Sequence, residues 1–151
     1  MEADLEAETS TATDLQKVLT RYVDSHDGYL QAAELMEKPE LAEAFREIAT
    51  KRREAGKQIS GMIQSEGARP DSDGSHEGGA HRWWMRLREK LTADELQAVL
   101  AECVRGETVL VNSLESALKC PDLGADQAAA LTSARDEVKA AIEHFESAIG
   151  D

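Results

Sequence analysis

Apolar residues recur every three or four positions along four long stretches of this chain, and this period constrains its fold more than any other feature. In the first stretch, for example, the stripe includes Leu15, Leu19, Tyr22 and Tyr29. The step matches one face of an α-helix, and no useful length of the sequence alternates with the period of two that a half-buried strand requires. The sequence therefore predicts an all-α protein whose core lies between four long helices.

Residues that favour turns predict the boundaries of these helices. Pro39 predicts that one helix ends and the next begins, and Gly67 starts a Gly-, Pro-, Asp- and Ser-rich linker that extends to Gly79. We expect a flexible acidic tail over residues 1–12 and a single domain over residues 13–150. The expected helices span about 13–37, 39–66, 76–91, 93–119 and 126–149.

Capping signals and connection lengths predict how the helices are arranged. Thr13 with Gln16, and Thr92 with Glu95, have the spacing of a capping box, in which each side chain bonds the other residue's backbone N–H. The connections at Pro39 and Pro121 are short, so each joins two helices that are expected to pack as a hairpin. The linker and the short helix that follows it supply a long crossover. The expected architecture is an antiparallel four-helix bundle with one short extra helix.

Charge and hydropathy exclude several classes of function. The chain has 30 acidic and 17 basic residues and a formal net charge of −13, which predicts repulsion from nucleic acids and anionic membranes. No run of about 18 apolar residues is present, so no membrane span is expected. Residues 1–13 are acidic and polar, unlike a signal peptide. We therefore expect a cytoplasmic protein.

The two cysteines support a reducing compartment. Cys103 and Cys120 are predicted at the middle and the end of one helix, where about 1.5 Å of rise per residue separates them by roughly 25 Å. A disulfide cannot bridge that distance, so both are expected to be free thiols. Cys103 lies on the apolar stripe, whereas Cys120 is expected to be accessible.

Three segments carry a resemblance to a known family. They are DSHDGYLQAAE from Asp24 to Glu34, HRWWMRLREKL after the linker, and LAECVRGE from Leu100 to Glu107. Their order and spacing resemble an uncharacterised family of bacterial four-helix-bundle proteins in the ferritin-like superfamily, over nearly the whole chain from about Thr13. The resemblance implies a ferritin-like fold, and it raises the question of a di-metal centre in the core.

The sequence lacks the signature of a ferritin-type metal centre. Such a centre takes a Glu-x-x-His pair from each of two helices, because the step of three places both side chains on one face. None of the four histidines has Glu three residues before it, and the nearest case is Asp73 before His76, in the linker. His76 and His81 are five residues apart, which is weak spacing for a metal.

Three polar residues interrupt the apolar stripes near the midpoints of their helices. They are His26, Arg52 and Glu107, and we expect them to form a polar layer at one level of the core. One interpretation is structural, with Arg52 paired to Glu107, His26 a core histidine, and no cofactor. The alternative is a metal site for iron, manganese or zinc. Its ligands would be His26, Asp27 and Glu107, assisted by Asp24 or Glu102.

Two further features lie beside or above this layer. Gly28 and Gly106 are inside predicted helices, which predicts close helix approach or room for a neighbouring side chain, with a cofactor pocket as the alternative. The segment with Trp83 and Trp84, flanked by Arg82 and Arg86, has three interpretations. It is a lid over the bundle, a dimer interface, or a helix on a membrane surface.

These observations lead to three hypotheses for the function. The first is a non-catalytic, cytoplasmic bundle that acts through protein contacts, as a homodimer or with a partner bound through Trp83 and Trp84. The second is a metal-binding protein with oxidoreductase or metal-handling activity. The third is a peripheral membrane or stress-response binder. No phosphate loop, nucleophile elbow or Cys-x-x-Cys motif is present to indicate another chemistry.

Overall fold

The computed structural model describes residues 2–72, 79–93 and 95–149. Within these residues the chain is all-α, with five helices and no strand, which confirms the all-α part of the prediction. None of the helices in the described ranges is both long and apolar enough to cross a membrane. The helices are α1 (Glu2–Leu35), α2 (Pro39–Ser65), α3 (Gly79–Thr92), α4 (Leu96–Leu118) and α5 (Ala125–Ile149).

Helix α1 begins at Glu2, well before the predicted start at Thr13. The residues before Thr13 include Ala, Glu and Leu, which favour helix, so the helix continues through the expected tail. Gln16 consequently has no capping role. Its side-chain amide donates to the carbonyl of Asp71 and accepts from the backbone N–H of Asp71, both at 2.9 Å. Gln16 thus fixes the chain after α2 against α1.

The second predicted capping box is also absent. Helix α3 continues through Thr92, whose hydroxyl donates to the carbonyl of Arg88 at 2.8 Å. Helix α4 starts at Leu96 after Glu95, and Glu95 makes no side-chain capping bond. The Glu95 carboxylate instead lies 3.6 Å from Nζ of Lys90, so it connects the end of α3 to the start of α4.

Helix α2 has a terminator at each end. Pro39 is its first residue, a position where the missing N–H of proline costs nothing. Gly67 follows its C-terminus with a φ of 80°, a left-handed conformation that glycine adopts without a steric penalty. The N–H groups of Gly67 and Ala68 donate to the carbonyls of Gln64 and Ile63, at 3.0 and 3.1 Å. These bonds satisfy carbonyls that the helix end leaves unpaired.

The helices pack around two groups of buried apolar residues. Helix α1 packs along α2 and α4 packs along α5, while α1 also contacts α4, and α3 contacts both α1 and α4. This all-helical packing fits a helical bundle. Along α2, Ala49 belongs to one group and Ile59 to the other; along α4, Cys103 and Leu110 are divided in the same way. The stretch where the groups meet contains the buried polar residues of the candidate site.

Candidate functional site

A buried ion pair between Arg52 and Glu107 joins α2 to α4. The two residues are 2% and 1% exposed, and Nη2 of Arg52 donates to Oε2 of Glu107. Nη1 of Arg52 also lies 3.8 Å from a carboxylate oxygen of Glu137 on α5, a half-exposed residue. Charges removed from water are tolerated only when they are paired, and here each buried charge has its partner.

The other oxygen of Glu107 accepts a hydrogen bond from a tyrosine on α1. The hydroxyl of Tyr29 donates to Oε1 at 2.6 Å, so both carboxylate oxygens are engaged by protein donors. Aromatic rings hold Tyr29 in place: its centroid lies 5.7 Å from that of Phe45 and 6.4 Å from that of Phe145, which is stacked on it. The network thus fixes Glu107 from α1 and α2 together.

Burial raises the pKa of three groups at the centre of this network, a carboxyl, a phenol and a thiol. Burial raises the pKa of Glu107, while the charge of Arg52 and the bond from Tyr29 lower it, and the net direction is upward. Burial and then the Glu107 charge raise the pKa of Tyr29 well above its usual value. Burial likewise raises the pKa of the Cys103 thiol. The phenol and the thiol therefore stay protonated at neutral pH, and Cys103 is not an activated nucleophile.

Trp83 packs against both α1 and α4 at positions occupied by glycine. The residue is 8% exposed, and a Cβ on Gly106 would lie 2.8 Å from Cε2 of its indole. A Cβ on Gly28 would overlap the same ring. The indole Nε1 donates to the carbonyl of Glu102 at 2.7 Å, and the ring meets Tyr29 edge-on at 6.0 Å. Trp83 is therefore unavailable to a partner protein while α3 keeps this position.

A second ion-pair group lies between α3 and α4, around the buried carboxylate of Glu102. Nε of Arg86 lies 3.1 Å from Oε2 of Glu102, and Nε of Arg105 lies 3.4 Å from the same oxygen. Glu102 is 6% exposed, whereas the two arginines are more accessible. Glu102 and Glu107 therefore belong to separate pairs.

The expected polar layer is corrected at His26. Its Nδ1 lies 2.9 Å from Oδ1 of its neighbour Asp27, and the two side chains are 26% and 55% exposed. His26 is partly exposed, and no contact joins it to Arg52 or Glu107 among the described residues. The side chains of Arg82, Trp84 and His81, and the whole of His76, lie outside the described part of the structure.

A comparison with protein-family models places this chain. A family described as "Domain of unknown function (DUF2383)" matches residues 10–120. The chain belongs to this family. No curated protein and no solved structure matches it. The DUF2383 match contains Arg52, Trp83 and Glu107, whereas α5, which supplies Glu137 and Phe145, follows it in the chain.

The residues of this DUF2383 chain do not fit the di-metal centre that a ferritin-like resemblance raises. The Glu107 carboxylate is bonded by Arg52 and Tyr29, and a guanidinium competes with a metal cation for the same oxygens. Glu102 is committed to Arg86 and Arg105. Among the described residues, no three His, Cys, Asp or Glu side chains are grouped to hold a metal ion. We derive no metal chemistry from this site.

Several residues of the site have roles that the sequence pattern does not predict. The apolar stripe of α1 predicts that Tyr29 is in the core, but not that its hydroxyl donates a hydrogen bond to Glu107. The sequence gives only a general indication of this role, because a buried tyrosine hydroxyl usually has a polar partner. Gly28 and Gly106 predict room for a neighbouring side chain, but the sequence does not indicate that this side chain is Trp83.

Proposed function

We propose that this chain is a ferritin-like bundle of antiparallel helices that functions as a non-catalytic binding protein, through contacts with protein partners. One observation carries the non-catalytic part: the inner carboxylate of Glu107 is held by Arg52 and Tyr29. A di-metal oxidoreductase needs such inward carboxylates as metal ligands. The two buried free thiols support a reducing compartment such as the cytoplasm.

Short connections support the antiparallel arrangement. Residues 36–38 join α1 to α2, and residues 119–124 join α4 to α5, and each joined pair packs together. A connection this short requires the second helix to pack antiparallel to the first. In chain order, the linker and α3 lie between the two helical pairs, where a ferritin-like bundle has its long crossover connection.

The outer surface of α3 supports a role in protein contacts. Met85 is 47% exposed on this helix, and Arg88, three residues later, is exposed as well. The helix contains four basic residues and one acidic residue, in a chain with a net charge of −13. Charge complementarity favours an acidic partner surface, and a second copy of this acidic chain meets that requirement. An exposed methionine adds adaptable apolar contact.

Sedimentation of the purified chain at several salt concentrations tests this proposal. We expect self-association that weakens with added salt, because the contact is electrostatic. The charge reversal Arg88→Glu should weaken association about tenfold, equivalent to about 1.4 kcal/mol. Arg53→Glu changes the charge equally at an exposed position of α2 and should leave association unchanged. A chain that stays monomeric, or equal effects of both substitutions, contradicts a homodimer formed through α3.

Metal titration distinguishes the proposed non-catalytic function from a metal-binding function. We expect no stoichiometric binding of manganese, iron or zinc that depends on Glu107, in protein purified without a histidine tag. Calorimetry with the wild type and Glu107→Gln measures this directly. Glu115→Gln, at a half-exposed position of α4 that pairs with Lys139, is the matched control. Stoichiometric binding that is lost only in Glu107→Gln would favour a metal-handling function instead.

A further inference from the structure

Residues of α1, α3 and α4 line a pocket of about 240 Å³. Its apolar lining includes the buried residues Tyr29, Trp83 and Leu110 and the exposed side chain of Val109. An apolar cavity of about 150 Å³ is enough to hold benzene. The pocket of this chain therefore has room for one aromatic ring with a short polar substituent.

Positive charge is concentrated around this pocket, although the chain as a whole is acidic. Arg21, Arg86 and Arg105 line it, and Arg86 and Arg105 share the single carboxylate of Glu102. Arg21 makes no ion pair with any described side chain. Asp24 and Glu107 also line the pocket, and the Glu107 charge is balanced by Arg52. The remaining charges are three guanidinium groups and the two carboxylates of Asp24 and Glu102, which leaves an excess of one positive charge. An anionic substituent is therefore favoured over a cationic one.

A polar group in the wall lacks a partner. Ser25 lines the pocket, and its hydroxyl oxygen is buried and makes no hydrogen bond with any described residue. A serine inside a helix can bond the carbonyl one turn earlier, but Ser25 does not. Leaving such a group unsatisfied costs about 1–3 kcal/mol. A ligand oxygen in the pocket would recover this loss if the Ser25 side chain rotated its hydroxyl toward it.

We propose that this pocket binds a small aromatic carboxylate. The ring packs on the wall formed by Tyr29 and Trp83, and the carboxylate accepts hydrogen bonds from the guanidinium of Arg21 and the hydroxyl of Ser25. This combination of a mostly apolar cavity with a few placed polar groups is the usual form of a small-molecule site. The proposal does not depend on self-association of the chain or on α3 as a docking surface.

Isothermal titration with three probes tests the ligand class. We expect phenylacetate to bind with one site per chain, and phenylacetamide, which has the same shape without the charge, to bind at least about tenfold more weakly. Acetate lacks the ring and should not bind measurably. Equal affinity for phenylacetate and phenylacetamide overturns the proposal. Absence of phenylacetate binding, both by calorimetry and in ligand-observed NMR, overturns it as well.

Substitutions locate the site within the chain. Arg21→Gln should weaken phenylacetate binding at least about tenfold, and Ser25→Ala should weaken it by a smaller factor, because a bond from a charged donor contributes more than a bond from a neutral one. Arg53→Gln, at an exposed position of α2, should have no effect. Circular dichroism of each variant checks that the helices are retained. Binding that is unchanged in folded Arg21→Gln contradicts the assignment of this pocket.

Discussion

A Cβ on Gly106 would lie 2.8 Å from Cε2 of Trp83, so the indole ring from α3 fills the space that a side chain on α4 would need. Gly28 on α1 leaves space for the same ring. A single tryptophan therefore attaches the short helix α3 to two long helices, through ring packing and its hydrogen bond to the carbonyl of Glu102. Both glycines are needed because the indole is rigid and buried.

Replacing either glycine by alanine should destabilise the protein. Inside a helix, Gly to Ala normally gains about 1 kcal/mol from helix propensity. At Gly106 and Gly28 the added methyl group overlaps Trp83, and overpacking of this kind costs about 1–3 kcal/mol. We expect both variants to unfold at lower urea concentrations than the wild type.

Gly61 provides the matched control for this prediction. It lies in α2, and a Cβ there would meet nothing within 4 Å, so Gly61→Ala should stabilise the chain by up to about 1 kcal/mol. In a Trp83→Leu background, the loss caused by Gly106→Ala should shrink or reverse, and a double-mutant cycle measures this coupling. Equal effects of Gly106→Ala in both backgrounds would show that the ring is not the cause.

Truncating Arg52 should destabilise the chain strongly. Arg52→Ala leaves the buried carboxylate of Glu107 without its charge partner, and breaking such a pair costs about 3–5 kcal/mol. Manganese, iron or zinc should not restore the melting temperature. Arg46→Ala is the control, because Arg46 pairs with Glu43 at a largely exposed position and should contribute less than about 1 kcal/mol. Full rescue by stoichiometric metal would instead support a metal site at Glu107.

The raised pKa of Glu107 predicts a pH dependence with a definite sign. The unfolded chain releases this proton near pH 4.5, whereas the folded chain retains it to higher pH because burial disfavours the charged carboxylate. Over that interval the folded state binds more protons, so the contribution of Glu107 to stability falls as pH rises. The unfolding free energy of the wild type minus that of Glu107→Gln should decrease above pH 4.5 and then level off. An increase over the same interval would show that the folded pKa is lowered.

Removing the hydroxyl of Tyr29 should raise the pKa of Glu107 further. The hydrogen bond from Tyr29 lowers the pKa of Glu107, so Tyr29→Phe should raise it above the wild-type value. Carbon-13 NMR of labelled glutamate carboxyl groups measures both values. Tyr22→Phe, which removes a phenol from another buried position of α1, is the control. A lower pKa in Tyr29→Phe would contradict the hydrogen bond.

Both thiols should resist modification in the folded protein. The position of Cys120 at a helix end predicts an accessible thiol, but the structure buries it, with Sγ 3.1 Å from the hydroxyl of Thr11. Cys120 is 9% exposed just beyond α4, whereas Cys103 is fully buried within that helix. We expect an aromatic disulfide reagent to modify both slowly, Cys120 before Cys103, in single-cysteine variants. Modification of Cys103 first would contradict its burial.

The helical pattern could be predicted because it depends on neighbours in sequence. Pro39 and Gly67 predict where α2 begins and ends, and the structure has the helix between them. The two predicted capping boxes were wrong, because residues that favour helix precede each of them and extend the helix through the threonine. Thr13 and Thr92 both lie inside helices. The direction in which a helical residue faces is also hard to predict, because it depends on a small rotation of the helix about its axis. The pattern predicts His26 in the core, whereas in the structure it is partly exposed and paired with Asp27.

The sequence by itself determined the all-α class, the apolar faces, and the presence of charged residues where an inward face should be apolar. Only the tertiary structure decided which groups satisfy those charges, because hydrogen bonds and ion pairs depend on distances of a few ångströms between residues far apart in the chain. Glu107 is bonded by Tyr29 and Arg52, which precede it by 78 and 55 positions. The helical period predicts that these three residues face inward, but only the packing of α1, α2 and α4 brings their polar atoms within bonding distance.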